Sequence, residues 1–358
     1  MTMAAGTAVG DMRLGDHLCL IYESEEERLA VLIAYIGDGL AAGHKIIYMA
    51  DAPSDRLGPG PSDRSAGSGD RAGSTGDLAD STGDRAVGSG GWGGSAGNGG
   101  WGGNGGHRGD IGGRGDPGGV LARLSAVPGA APLDLPMAAA AGQLVIHYAG
   151  ETADGADDEM ALLGAEIDLA LMQGYDGVRV TGETSFSLRG WPGSEEFAAS
   201  ERRCAGMLRT SGDARAMAIC QYDRRWFDAG QLRGLEACHA GRVRIDDLFD
   251  DGVLRITPTF VPPGLRLAGD LDESTLPGVE AALRRLGGTG RAGHLCLDLS
   301  DLDFCDMEGL RALLGARRSG TSVDRHVILR GVPGYLELMM RIAGLEAMPG
   351  VVVEEAVR

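Results

Sequence analysis

The stretch "DHLCLIY" (Asp16–Tyr22) places an imidazole and a thiol two positions apart, at His17 and Cys19. In an extended strand such positions share one face, so His17, Cys19 and Ile21 point one way and Leu18, Leu20 and Tyr22 the other. An imidazole and a thiol on one face can share a metal, and Cys220 and His239 offer further soft donors of the sort zinc accepts. The spacing fits no known zinc motif, and buried His and Cys satisfied by packing and one hydrogen bond are the commoner arrangement. The expectation is therefore no metal and no cofactor, with His17 and Cys19 as the residues to inspect.

A second set follows from the rule that open α/β sheets bind ligands beyond the carboxyl ends of their strands. Tyr22, Asp51, Thr181, Glu183, Tyr222, Asp223 and Arg224 all fall at such ends. Together they supply aromatic surface, carboxylates and a guanidinium, enough to recognise a small polar or amphipathic molecule. Loop residues that cap helices and pair at the surface would give the same pattern. Catalytic signatures are missing. "GDGLAAGHK" departs from the phosphate loop G-x-x-x-x-G-K-[ST], and neither G-x-S-x-G nor H-E-x-x-H occurs. The chain reads as a non-enzyme.

The elements that must position these residues alternate. "HLCLIY" is an apolar run. The next segment puts Leu29, Leu32, Ile33, Ile36 and Leu40 on one helical face, with Ser24 and Glu27 as a capping box and Gly43 as the stop. "KIIYMAD" (45–51) is a second buried strand. Beyond 119 come a short helix near 119–125, a strand at 143–149, a helix near 157–173, a strand at 177–183, a helix near 194–209, a strand at 216–223 and a helix near 226–240. Near-continuous apolar strands taking turns with helices predict an α/β domain, a parallel sheet in three layers. This domain spans 11–244. The alternation is similar to that of RecA-like ATPases, without their Walker A loop.

Residues 53–119 stand apart, with runs such as "GSGGWGGSAGNGGWGGNGG". A Gly/Ser-rich tract cannot bury enough apolar surface to offset its ordering entropy, so it is expected to be a disordered insert. After a break at "GRVRIDDLFDDG" (241–252), with the domain boundary near 245–252, a second α/β unit covers 253–358: two strands, a helix near 273–287, strand "HLCLDLS", a helix from about Met307, strand "HVILRGV", a helix near 333–343 and "GVVVEE".

Length and charge bound the function. The chain has 358 residues and a formal net charge of −18. Such a surface opposes nucleic-acid phosphates and anionic lipid heads, so no nucleic-acid or membrane partner is expected. No basic start leads into an apolar core, and no run reaches the roughly 18 apolar residues needed to span a bilayer. Six scattered cysteines without a CxxC pair suit reduced thiols. A cytoplasmic location is expected.

The second unit resembles the STAS domain of bacterial anti-sigma-factor antagonists. "GLRLAGDLDESTLPGVEAAL" (264–283), "LCLDLSDLDFCDMEGLRALL" (295–314) and "VILRGVPGYLELMMRIAGLE" (327–346) carry the resemblance. The family implies an apolar strand ending in a D-S-S-G-like turn before a helix. A partner kinase that also restrains a sigma factor phosphorylates the serine of that turn. Here Asp306, Met307, Glu308 and Gly309 stand at the matching positions, with no hydroxyl among them. Asp306 can cap the helix, and Glu308 either stands in imperfectly for the phosphate or is an ordinary helix-start acid. Ser300, the nearest hydroxyl, is expected to bond locally to backbone.

The first domain resembles the MEDS sensory domains of bacterial regulators, through "GDHLCLIYESEEE" (15–27), "GLAAGHKIIYMAD" (39–51), "GYDGVRVTGETSFSL" (174–188) and "AICQYDRRWFDAGQLRGLEACHAG" (218–241). That resemblance implies a sensor of small organic compounds. The combined reading is a bacterial regulator in signal transduction and transcription control. A MEDS sensor would govern a STAS domain that binds an anti-sigma factor or related kinase-like protein. Two alternatives remain: a metal or redox sensor using His17 and Cys19 with STAS for assembly, and a degenerate nucleotide-binding enzyme.

Overall fold

Seven parallel strands build the first sheet, in the order β1-β9-β2-β8-β5-β3-β4. A computed structural model of the chain describes residues 6–50, 119–127, 130–148, 156–183, 195–210, 213–287, 294–318, 326–345 and 348–354. The expected insert and Asp51 lie outside these residues, apart from Gly119. The strands are β1 (Thr7–Ala8), β2 (His17–Tyr22), β3 (Lys45–Ala50), β4 (Leu144–Tyr148), β5 (Val178–Gly182), the short pair β6 (Arg209–Thr210) and β7 (Asp213–Ala214), β8 (Ala216–Asp223) and β9 (Gly241–Arg244). Helices α1 (Glu25–Ala41), α2 (Val120–Ser125) and α3 (Leu135–Ala140) pack on one face. Helices α4 (Ala156–Met172), α5 (Glu195–Met207) and α6 (Ala229–Cys238) cover the other.

Local chemistry explains the boundaries. Ser24 caps α1 by accepting from the Glu27 amide at 3.1 Å. Glu27 reaches back one residue further than a capping box requires, to the Glu23 amide at 3.0 Å. Gly43 takes a φ of +69° just past the helix end, where a side chain would be strained. Several short elements depart from the sequence reading, among them β1, which precedes the expected domain start at 11, the β6–β7 pair, α3 and β9. Helix α3 starts at Asp134, whose side chain accepts from the Met137 amide, in a segment where short alanines hide the periodicity. "GRVR" (241–244), expected to be a break between domains, is strand β9 and pairs with both β1 and β2.

The second sheet is mixed, ordered β10-β11-β12-β13-β14-β15. Its strands are β10 (Phe249–Asp250), β11 (Leu254–Phe260), β12 (Pro263–Leu271), β13 (Leu295–Cys305), β14 (Val327–Arg330) and β15 (Val351–Val353). Helices α7 (Leu276–Gly287), α8 (Met307–Gly315) and α9 (Gly334–Ile342) close one leucine-rich core with it. Strand β13 corrects an expectation. The acidic residues Asp301 and Asp303 were expected in a turn, but the strand continues through them to Cys305, with register irregularities against β12. Two extra residues of β13 are absorbed there as bulges.

Among the described residues no helix is long and apolar enough to cross a membrane.

Gly264 on β12 lies so close to β13 that a Cβ would meet the Cys296 carbonyl oxygen at 1.8 Å. Backbone cannot yield as a side-chain tip can. Gly264→Ala is expected to cost about 3 kcal/mol by overpacking, read as a lower midpoint in urea unfolding; an unchanged midpoint would show that β12 and β13 are not this close.

Candidate functional site

The two faces of the β2–β8 pair hold different buried polar groups. On the α1 face Arg28 is central. It is buried, and its Nη1 donates to Gln221 Oε1 at 2.9 Å, Glu183 Oε1 at 3.0 Å and Tyr48 Oη at 3.2 Å. Its Nε donates to Glu25 Oε2 at 2.8 Å, and its guanidinium lies 5.8 Å from the centre of the Tyr22 ring. Tyr48 also donates to Glu183 at 2.8 Å, and Gln221 donates to Thr181 Oγ1 at 2.8 Å. Thr181 in turn donates to the Ile219 carbonyl. The guanidinium is thus surrounded by fixed acceptors, and the strand ends carry a closed, charge-assisted polar network.

Of the strand-end residues singled out in the sequence, this network gathers Tyr22, Thr181 and Glu183. It does not gather Tyr222, Asp223 or Arg224. Tyr222 points to the opposite face, edge-on to Phe227 and His239. Asp223 is held by Arg225, whose hydrogen bond keeps its carboxyl below the usual range. Arg224 pairs with Glu23 in a half-exposed contact. Strand alternation explains the split: Gln221 and Tyr222 are adjacent, so they must face opposite ways. Arg28, Tyr48 and Gln221 were missed. Arg28 had a signal, since it precedes Leu32 by one helical turn and so puts a charge on the apolar stripe.

On the other face, His17 from β2, Cys220 from β8, Glu201 from α5 and His239 at the end of α6 converge, with ligand atoms all within 4.8 Å of one another. His17 Nε2 stands 3.3 Å from both Cys220 Sγ and Glu201 Oε2, and His239 Nε2 is 3.5 Å from the same Glu201 oxygen. Tyr222 donates to the other oxygen, Oε1, at 3.4 Å. Burial pushes the Glu201 carboxyl up to about 7, and burial beside His17 pulls His239 down to about 3. Burial also pulls on His17, but the hydrogen bond and charge of Cys204, with Glu201, leave it net above its ordinary value. A hydrogen bond between the buried thiols Cys204 and Cys220 lowers the first and raises the second.

Cys19 shares this face but not this cluster. Its thiol donates to the Gly241 carbonyl at 3.4 Å, and burial pushes it up to about 11. Glu201 was missed in the sequence, although Phe197, Ser200, Glu201, Cys204 and Leu208 form one buried helical stripe with a carboxylate in it.

In the second unit Asp306 caps α8, its Oδ1 accepting from the Gly309 amide at 2.6 Å. Gly309 is packed so tightly that a Cβ would meet Leu271 Cγ at 2.6 Å. Met307 packs on the core. Glu308 faces solvent and pairs with Arg311 at 3.0 Å. Ser300 donates to Asp298 Oδ1 at 2.6 Å rather than to backbone.

Arg28→Met removes a buried charge from around Glu183 and Gln221 and is expected to cost about 3 kcal/mol, whereas Arg224→Ala breaks a half-exposed pair and is expected to cost below about 1 kcal/mol. Urea unfolding of both variants checks the ordering. Equal costs would remove Arg28 from the centre of the network.

Comparison with known proteins assigns both units. The family described as methanogen/methylotroph, DcmR sensory domain (MEDS) matches residues 16–65 and 121–240. The family described as Mlab, STAS domain matches residues 254–354. No curated protein shows significant similarity to the chain. These two matches fit a regulatory protein of the anti-sigma-factor antagonist type: the chain carries a MEDS sensory domain followed by a C-terminal STAS domain.

Proposed function

We propose that the MEDS domain senses a small organic molecule at its strand ends and thereby controls how the STAS domain binds an anti-sigma factor or related kinase-like protein. The observation that carries the reading is the surface around Asp306–Gly309. Glu308 is the outward-facing acid of that loop, and exposed Phe304, Tyr335 and Leu338 stand on the strand and helix beside it. Tyr335 lies against the Cys305 backbone, next to the loop. Exposed aromatic and aliphatic side chains around one charged loop are the composition of a protein-docking surface.

Control without a phosphoacceptor needs another route, and a cleft of about 360 Å³ offers one. Glu23, Glu27 and Arg224 at the sensor strand ends line it together with Thr257–Pro262, Arg266, Asp298 and Arg330 of the STAS sheet. Asp298 lies on β13, the strand that ends at the switch loop. A ligand that favours one packing of this cleft would shift the population of binding-competent STAS surface. Its arginines are internally paired, Arg244 with Asp247, Arg266 with Asp301 and Arg330 with Glu354. That pairing favours a mechanical junction over an anion site.

The reading includes no catalysis. Residues 37–45 of "GDGLAAGHK" form the C-terminal end of α1 and the approach to β3. A phosphate loop instead leads into a helix N-terminus, where free amides meet the anion. A cytoplasmic site of action fits this reading.

Asp306 already caps α8, and Glu308 is held only by its exposed pair with Arg311. Glu308→Ala is expected to change stability by less than about 0.5 kcal/mol and to tighten binding to an anti-sigma partner, while Asp306→Ala costs about 1 kcal/mol. Calorimetric affinity and thermal melting of both variants are the measurements. Unchanged affinity with a melting loss equal to that of Asp306→Ala would make Glu308 a helix-start acid only.

A further inference from the structure

We propose that His17, Glu201, Cys220 and His239 form a tetrahedral site for a zinc-class divalent metal ion, buried between the β2–β8 pair and helices α5 and α6. Geometry comes first. Bonds of about 2.0–2.3 Å to N, O and S place the corners of a tetrahedron about 3.3–3.8 Å apart. The contacts between donors are 3.3 Å for His17 to Cys220, 3.3 Å for His17 to Glu201 and 3.5 Å for Glu201 to His239. Three of the six edges thus already match, all four donors lie within 4.8 Å of one another, and they come from four separate segments of the chain.

The hydrogen bonds point the same way. His239 Nδ1 lies 2.7 Å from the Leu235 carbonyl oxygen. A carbonyl only accepts, so Nδ1 carries the proton there and Nε2 of the neutral ring aims a lone pair at the cluster. This carbonyl–imidazole arrangement is how proteins orient metal-bound histidines. Tyr222 holds the second Glu201 oxygen in the same supporting manner. Among the described residues, Glu201 Oε2 and His239 Nε2 are buried without a hydrogen-bond partner, although they face each other. Their side chains are 4 % and 0 % exposed, which leaves no water to satisfy them from outside.

Charge and softness select the ion. Two neutral imidazoles, one carboxylate and one thiolate sum to −2, which a divalent ion neutralises inside an apolar shell of Phe197, Phe227 and Leu235. Calcium and magnesium take oxygen ligands, and copper(I) favours sulfur. A mixed N/O/S tetrahedron belongs to zinc, with cobalt(II) as its coloured substitute. On binding, the Cys220 S–H bond is replaced by S–metal, and the proton leaves to solvent. Cys204, which hydrogen-bonds Cys220 from α5, stands beside the set as a supporting thiol. The site keeps His17, Cys220 and His239 of the donors weighed in the sequence and has Glu201 in place of Cys19, whose thiol is engaged with Gly241.

The full-length reduced protein, stripped with a chelator, is titrated with Zn²⁺ and separately with Co²⁺. One equivalent of Zn²⁺ is expected by emission spectrometry. Co²⁺ is expected to give intense tetrahedral visible bands and a near-ultraviolet thiolate charge-transfer band, both displaced by Zn²⁺. Cys220→Ser is expected to abolish the near-ultraviolet band, and Cys19→Ser to leave it intact. Glu201→Gln, nearly isosteric, is expected to weaken Zn²⁺ binding ten-fold or more. Circular dichroism verifies that each variant is folded, and Glu201→Gln carries the test if Cys220→Ser is not. Native protein that is folded yet takes up no Zn²⁺, a thiolate band that survives Cys220→Ser, or Glu201→Gln with native affinity would overturn the site.

Discussion

The register of β2 against β8 is the constraint on which both buried polar groups depend. The two strands run parallel with Cys19 opposite Cys220 and Ile21 opposite Tyr222. Alternation then sends Leu18, Leu20 and Tyr22 of β2 and Ile219 and Gln221 of β8 toward α1, and His17, Cys220 and Tyr222 toward α5 and α6. A slip of one residue in either strand would move its entire set to the wrong face. The register is held by apolar residues on both sides, so a core that reads as generic packing fixes two chemically distinct sites.

Much of this frame was legible because strands buried on both faces leave long apolar runs and helices leave a repeating stripe. "KIIYMA" and "AMAICQYD" could hardly be anything else. The short elements were harder. Leu135–Ala140 is mostly small residues, and Gly241–Arg244 is a strand because β1 and β2 flank it, which no local pattern announces. Strand β13 was cut short in the sequence reading because Asp301 and Asp303 interrupt its apolar run; pairing with β12 overrides that local polarity.

The sites were legible only in part, for a related reason. Sequence places a residue at a strand end but does not say which partner crosses from a helix to meet it. Thr181, Glu183 and Tyr22 were found from their strands, whereas Arg28 and Glu201 arrive from helices. Each sits on a buried stripe among apolar neighbours. A charge at such a position is costly unless it is paired, so a charged residue on an apolar helical stripe is itself the mark of a buried polar network. The loop at 306–309 separates in the same way. Asp306 accepts from the backbone, Gly309 is fixed by the nearness of Leu271, and Glu308 points to solvent with its carboxylate paired to Arg311.

The proposed regulation depends on the sensor strand ends and the STAS sheet acting on each other across the cleft that Glu23, Glu27 and Arg224 share with β11 and Asp298. Hydrogen–deuterium exchange of the full chain, native against Arg224→Glu, tests this most directly, because the change puts a third carboxylate beside Glu23 and Glu27. The account predicts faster exchange in β11 and along β13 toward Cys305, far in sequence from the substituted residue. Exchange altered only near residues 23–27 and 224–226, with β11 and β13 as in the native chain, would contradict it.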